Sequence, residues 1–272
     1  METSKLIGLA IDLDNTLIGQ LNKSCNFKGQ LSIIDSNISK GTHSAMSTKA
    51  FQIYLRLNKL NRLIAVTTRS KSQYQRTKLA PITSAAIYDN GATIEINSKI
   101  DQNWNNIIIS QYQQLPYTAI EVMKDFVLNF GPQYVEKTDE FDYFGIVYLT
   151  NLGKKKMEIE FNSYIQPGFN SSLQSNKYYL IPNFINKGRA LSYASKFMNL
   201  NGFEAAGDSL PDLTMMELAS FSHISPWGEL LGTKLQFPHK AYNKHNGQLA
   251  RTGEEIMINF CQRNEIDVHD LI

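Results

Sequence analysis

Cysteine is scarce: the 272 residues hold two, Cys25 and Cys261, far apart and without metal-ligand spacing. That scarcity suits a reducing cytosol. Charge of either sign is not in excess either, with 27 Lys and Arg against 25 Asp and Glu. A formal net charge of +2 is too mild to argue for nucleic acid or an anionic membrane as a partner. No run approaches the roughly 20 apolar residues that span a bilayer. The start, Met1-Glu2-Thr3-Ser4-Lys5, lacks the charged-then-apolar pattern of a signal segment. We expect a soluble, cytoplasmic protein; its oligomeric state is not written in these features. No internal repeat or low-complexity tract stands out. His43, His223, His239, His245 and His269 show no metal spacing and read as structural or exposed, and Trp104 and Trp227 read as packing residues. The one compact basic run, Lys154-Lys155-Lys156, reads as a solvated helix face.

What is present is concentrated at the front. Leu6-Ile7-Gly8-Leu9-Ala10-Ile11 is an apolar run of strand length, and it ends in Asp12-Leu13-Asp14. Such a run reads as a strand covered on both faces, as in a parallel sheet. A buried carboxylate is costly unless it is paired or binds a metal. Two at the C-terminal end of a strand therefore ask for a cation, at the rim where open α/β sheets bind ligands.

The rest extends this pattern. Residues 19–47 are rich in Asn, Ser, Lys and Gly and read as a long loop, either a lid or disordered. Ser47 opens a helix. Strands follow at Leu63–Thr67 and Ala85–Tyr88 with a helix at about 71–79 between them, giving βαβαβ, the signature of a doubly wound parallel sheet. A hairpin over 93–100, a helix over 116–129, a strand over 143–149, a helix over about 154–165 and a strand over 178–181 read as an inserted α+β unit. The first pattern resumes with a helix from about Asn186 to Met198, a strand at Phe203–Gly207, a helix with Leu213 and Met216, and a strand at Phe221–Ser225. Thr252 with Glu255 reads as a capping box opening a last helix. The fold class is thus α/β: a Rossmann-like doubly wound core of residues 1–94 and 181–272 with an inserted α+β domain of residues 95–180.

Four strand ends carry polar groups: Asp12 and Asp14; Thr67; Asn90; and Asp208 with Asp212 one helical turn on. In a parallel sheet they share a rim. Four carboxylates there repel one another. A divalent cation and one lysine relieve the repulsion, and all-oxygen ligands favour Mg²⁺. Lys187 at a helix start is electrostatically disfavoured unless it faces an anion. Thr67 offers a hydroxyl, and the turn after it offers backbone N–H groups that can seat phosphate. Each residue alone has a plainer reading. Asp208 and Ser209 can be helix caps, Thr67 a strand-end threonine, Asn90 a turn residue before Gly91, and Arg69 part of a helix face.

Taken together, these segments resemble the haloacid dehalogenase superfamily of phosphatases in all four of its motifs, in order. Asp12-Leu13-Asp14-Asn15-Thr16 matches the first, Thr67 the second, Lys187 the third and Gly207-Asp208-Ser209-Leu210-Pro211-Asp212 the fourth. The insertion resembles the large cap of the subclass that includes the Cof-type, sucrose-phosphate and mannosyl-phosphoglycerate phosphatases. So do Asp89-Asn90-Gly91-Ala92 and Asn186-Lys187-Gly188-Arg189-Ala190-Leu191. The resemblance implies a Mg²⁺-dependent phosphomonoester hydrolase acting on a small soluble sugar phosphate or phosphorylated glycoside, under a closing cap. A phosphomutase or a non-catalytic phosphate-ligand-binding relative are the alternatives. It implies Asp12 as nucleophile and Asp14 as general acid and base. It implies Asp12, the main-chain carbonyl of Asp14, Asp208 and Asp212 as the metal set, and Thr67, Thr68 and Lys187 as phosphate ligands. Arg69 and Asn90 are implied as substrate contacts. Asn15, Thr68 and Pro211 depart from the residues common at their positions in that subclass, and residues 19–47 are longer than usual there.

Overall fold

The computed structural model describes residues 6–21, 27–37, 41–160, 164, 166–232, 240–242, 249–268 and 270. Cys25, His239, His245 and His269 lie outside these residues, as does part of the 19–47 segment. In chain order the strands and helices are β1 (Ile7–Asp12), β2 (Gly19–Gln20), β3 (Leu31–Asn37), β4 (Thr42–Ser47), α1 (Thr48–Lys59), β5 (Leu63–Val66), α2 (Lys71–Gln75), β6 (Ala85–Tyr88), β7 (Thr93–Ile96), β8 (Lys99–Ile100), α3 (Gln102–Tyr112), α4 (Ala119–Phe130), β9 (Val135–Glu140), β10 (Gly145–Leu149), α5 (Asn151–Glu160), β11 (Phe169–Gln174), β12 (Lys177–Pro182), α6 (Lys187–Phe197), β13 (Gly202–Gly207), α7 (Leu213–Met216), β14 (Phe221–Ile224), β15 (Lys240–Tyr242) and α8 (Leu249–Arg263).

The chain divides into two units, residues 1–101 with 186–272, and residues 102–185. The first is built on an eight-stranded sheet in the order β15-β14-β13-β1-β5-β6-β7-β8. It is parallel from β15 through β6 and antiparallel at β7 and β8. The central strands β1, β5, β6 and β13 are buried almost throughout, as a sheet covered on both faces requires. Ile53, Tyr54 and Leu57 of α1 join Ile256, Met257 and Phe260 of α8 in the core on the sheet.

The boundaries differ from the sequence expectation. The 93–100 hairpin extends the main sheet instead of opening the insertion, because β7 pairs along the whole of β6. Residues 181–185 belong to the second unit.

The 19–47 segment differs too. Its described residues form a small antiparallel sheet, β2-β4-β3. Ile34 and Met46 of this sheet reach the main core, and the Ser47 hydroxyl donates to buried Glu254 on α8 at 2.5 Å. Between Ile33 and Asp35 the β3–β4 register shifts by one residue. A bulge of this kind turns two neighbouring side chains to the same side. Ile34 and Asp35 are accordingly both buried.

The second unit is a four-stranded antiparallel sheet in the order β11-β12-β10-β9. Val122, Met123, Phe126 and Phe130 of α4 pack on Val147, Leu149, Tyr178 and Leu180. Thr118 and Glu121 form the capping box that starts α4. Lys156 is not on a solvated face: its ammonium donates to the Phe130 carbonyl at 2.8 Å. Thr252 is not a cap either, because α8 begins at Leu249 and buries Thr252 inside it.

Candidate active site

β1 delivers Asp12 at its last residue, and the chain then turns back on itself. The Leu17 N–H bonds the Asp12 carbonyl at 3.2 Å, and the Ile18 N–H bonds the Leu13 carbonyl at 2.8 Å. Asn15 takes a left-handed φ of 61° inside this turn, a conformation Asn tolerates better than most residues. From there its amide donates to Asp208 Oδ2 at 3.3 Å. Thr16 is fully buried, and its hydroxyl has no hydrogen-bond partner among the described residues.

The neighbouring strand, β13, delivers Asp208. Its loop is folded around Asp212, whose Oδ2 accepts from the backbone N–H of Asp208 and of Ser209, both at 3.0 Å. Gly207 makes this possible, since a Cβ there would lie 2.4 Å from the Asp212 Cβ. Ser209 caps the turn that follows. α6 brings Lys187 at its first residue, behind the Asn186 side-chain cap.

Lys187 is buried, and its ammonium donates to Asp12 Oδ1 at 2.6 Å and to Asp212 Oδ1 at 2.5 Å. Burial disfavours its charge, yet Asp12 and Asp212 together hold its pKa above the ordinary lysine value. The carboxylates bear the opposite strain. Burial pushes the Asp12 carboxyl well above the usual range, against the pull of Lys187. Asp208 is pushed up to about 7, by burial first and then by Asp212.

Asp12, Asp208 and Asp212 each place a carboxylate oxygen within 4.8 Å of the others. When all three ionise, Lys187 cancels one of three negative charges and two remain. A hard divalent cation fits that remainder and that all-oxygen set. The set is unequal, however. Both Asp212 oxygens already accept protein hydrogen bonds, from Lys187 on one side and from the loop on the other. Asp12 and Asp208 are the better direct ligands, with Asp212 shaping the site behind them.

β5 leads directly into the buried Thr67, whose hydroxyl accepts the Arg69 N–H at 3.1 Å. Thr68 follows in the same turn, half-buried. The Thr67 carbonyl accepts the Asn90 N–H at 3.2 Å, which ties the β5 turn to the turn after β6. Asn90 is buried with φ 56°, and its side-chain Oδ1 has no partner among the described residues. Gly91 follows at φ 103°, where a Cβ would meet the Asn186 carbonyl oxygen at 2.5 Å.

Asp14 differs most from expectation. Its side chain is 49% exposed, and Arg69 grips it with Nε at 2.7 Å and Nη2 at 2.8 Å. Arg69 is thus engaged with the chain's own carboxylate Asp14. Its remaining Nη1 donates to Asp35 at 2.8 Å, and Arg76 holds Asp35 at 2.7 and 2.9 Å. Burial opposes the charge on Asp35, but Arg76 and Arg69 outweigh it and hold its carboxyl below the usual range. Asp35, Arg76 and Asn15 were not among the expected functional residues. Only the turn-forming position of Asn15 carried a hint of its place.

No protein-family profile matches the chain, and no curated protein matches it by sequence. Solved structures do match its fold. The sucrose-phosphatase of Synechocystis, solved with sucrose and phosphate, aligns at TM-score 0.58 and 14% identity over 96% of this chain and 98% of its own. A haloacid dehalogenase-like hydrolase from Bacteroides thetaiotaomicron aligns at 0.52 and 16%, over 93% and 100%. A subclass IIB sugar phosphatase of that superfamily aligns at 0.58 and 11%, over 93% and 98%. The fold is that of the haloacid dehalogenase-like hydrolases. No described helix is long and apolar enough to cross a membrane.

Proposed function

We propose that this chain, which has the haloacid dehalogenase-type fold, is a Mg²⁺-dependent phosphomonoesterase working through an aspartyl-phosphate on a small phosphorylated metabolite. The observation that carries the reading is the buried cluster of Asp12, Lys187, Asp208 and Asp212, drawn from two adjacent strand ends and one helix start. A structural ion pair alone would need one carboxylate for Lys187, not three.

Lys187 binds one oxygen of Asp12 and leaves the other to attack phosphorus. As the Asp12 O–P bond forms, the bond from phosphorus to the alcohol oxygen breaks, and Asp14 gives that oxygen its proton. Asp14 then takes a proton from water, which attacks phosphorus and frees Asp12 with inorganic phosphate. Thr67, the N–H groups of the turn through Thr68 and Lys187 hold the phosphoryl oxygens. Mg²⁺ would be held by Asp12, Asp208 and the main-chain carbonyl of Asp14, with Asp212 behind them. When bound, it offsets carboxylate charge and steadies the charge of the transferring group. Positioning and charge then carry most of the rate, as phosphoryl transfer demands. The two sugar phosphatases among the fold matches favour a sugar phosphate as substrate.

The test is hydrolysis of 4-nitrophenyl phosphate with Mg²⁺ by the wild type and by Asp12→Asn. The expected result is activity in the wild type and its loss in the variant. Appreciable activity in Asp12→Asn refutes the mechanism.

A further inference from the structure

Asp14, its side chain 49% exposed, belongs to a chain of charges with three other residues. Next to it comes Arg69, 11% exposed, then Asp35, 6% exposed, then Arg76, 37% exposed. The guanidinium of Arg69 is a rigid planar fork, so bonds at several of its nitrogens fix its plane. Here Nε and Nη2 face Asp14 while Nη1 faces Asp35. The Arg69 backbone is fixed as well, by its N–H on Thr67 and by its carbonyl, which accepts from the Asp89 N–H at 2.8 Å.

Asp35 reaches Arg69 because of the β3 bulge. With regular pairing, Ile34 and Asp35 would face opposite sides of the small sheet. With the shift, Ile34 enters the core and Asp35 turns inward beside it. The segment is also anchored next to the bulge: the Lys78 N–H bonds the Ile34 carbonyl at 2.8 Å. Arg76 takes Asp35 with two donors from the far side. Both oxygens of Asp35 are thereby occupied, and the carboxylate has no spare orientation.

We infer that Asp35, carried on the β3 bulge and braced by Arg76, is a positioning residue: it fixes the plane of Arg69, and through Arg69 the orientation of the Asp14 carboxyl toward the leaving group. This rests on the reading of Asp14 as the proton donor. The small β2-β4-β3 sheet is then part of the catalytic apparatus although none of its residues touches the reacting atoms.

The test compares phenyl phosphate, whose leaving group needs a proton, with 4-nitrophenyl phosphate, whose leaving group scarcely does. kcat/KM reports the steps up to phosphorylation of the enzyme, so it isolates proton donation from the later hydrolysis. Asp35→Asn is expected to lower kcat/KM for phenyl phosphate by about 10-fold, part of the 10²–10⁴-fold typical of a placed proton donor, with little change for the nitro ester. In an Asp14→Asn background the same change should leave the ratio of the two esters unaltered, because the two positions act as one unit. Arg76→Gln, a substitution at a partly exposed side chain, should shift the ratio in the same direction by less. It supplies the answer if Asp35→Asn does not fold. Equal losses for both esters, no loss in either variant, or a further shift in the Asp14→Asn background overturns the inference. A wild type inactive on both esters refutes instead the phosphatase reading beneath it.

Discussion

Without its cation, the candidate site should destabilise the protein as pH rises through the range where proteins are commonly most stable. Asp208 carries the argument. Its carboxyl has an ordinary pKa of 3.8 and is pushed up to about 7 in the folded chain. Between those values the unfolded chain has released a proton that the folded chain retains. Stability therefore falls with rising pH, by about 1.4 kcal/mol per pH unit for one group. Integrated over the whole interval, the loss is on the order of 4 kcal/mol. Within the accessible window of roughly pH 5.5 to 7 it amounts to about 1–2 kcal/mol, because Asp208 is half titrated at the top. Asp12 is shifted in the same direction and adds to the trend. Asp35, held below the usual range, contributes stability that is lost only at more acid pH. Urea unfolding in EDTA at a series of pH values measures this directly. The expected result is a wild type less stable at pH 7 than at pH 5.5, with the slope reduced in Asp208→Asn and flattened by excess Mg²⁺, which takes the ionised carboxylates. Stability in EDTA that is level or rises across that window in the wild type, matched by Asp208→Asn, refutes the electrostatic account of the cluster.

Two further outcomes follow from the same geometry. Lys187→Met should abolish phosphatase activity and, in EDTA, reduce stability by about 3–5 kcal/mol, the usual effect of removing one partner from a buried pair; hydrolysis of 4-nitrophenyl phosphate reads the first and urea unfolding the second, and retained turnover counts against the site. Gly91→Ala, at a φ of 103° and 2.5 Å from the Asn186 carbonyl oxygen, should cost about 2–4 kcal/mol in urea unfolding, and a loss below about 0.5 kcal/mol would show that the turn adjusts freely.

The parts of the fold legible in the sequence are those where one signal dominates. β1, β5 and β6 are apolar runs followed by polar residues, and β13 is broken only by the buried Glu204, a pattern that suits central parallel strands. The same runs point to Asp12, Thr67 and Asp208, since a charge at such an end demands a reason. In the second unit the strands that escaped notice are edges. β9, Val-Glu-Lys-Thr-Asp-Glu, and β11, Phe-Asn-Ser-Ser-Leu-Gln, flank the second sheet. Edge strands carry polar and charged residues that blunt further pairing, and this erases the apolar signature. Thr252 and Glu255 imitate a helix start by spacing alone, although the apolar face of α8 already includes Leu249 and Ala250. Asp35 was beyond reach for another reason. Its inward direction comes from a register shift against β4, which is a relation between two strands and leaves no mark on either alone.

The place of β1 in the sheet bears on the order in which the protein can assemble. On one side β1 pairs with chain far away in sequence, Ile7 with Gly202 of β13, while on the other Leu9 pairs with the much nearer Leu63 of β5. A ribosome extends the chain from its N-terminus, and at about 5–20 residues per second β13 follows β1 by tens of seconds at the slower rates. Once β5 has emerged and until β13 follows, the strand bearing Asp12 has at most one side bonded and one side open, an edge able to recruit another chain. The pairings of β9 through β12 close within residues 102–185, so the insertion can form while β1 waits. Translation speed across the stretch that precedes β13 should therefore govern how much of this protein reaches its native sheet.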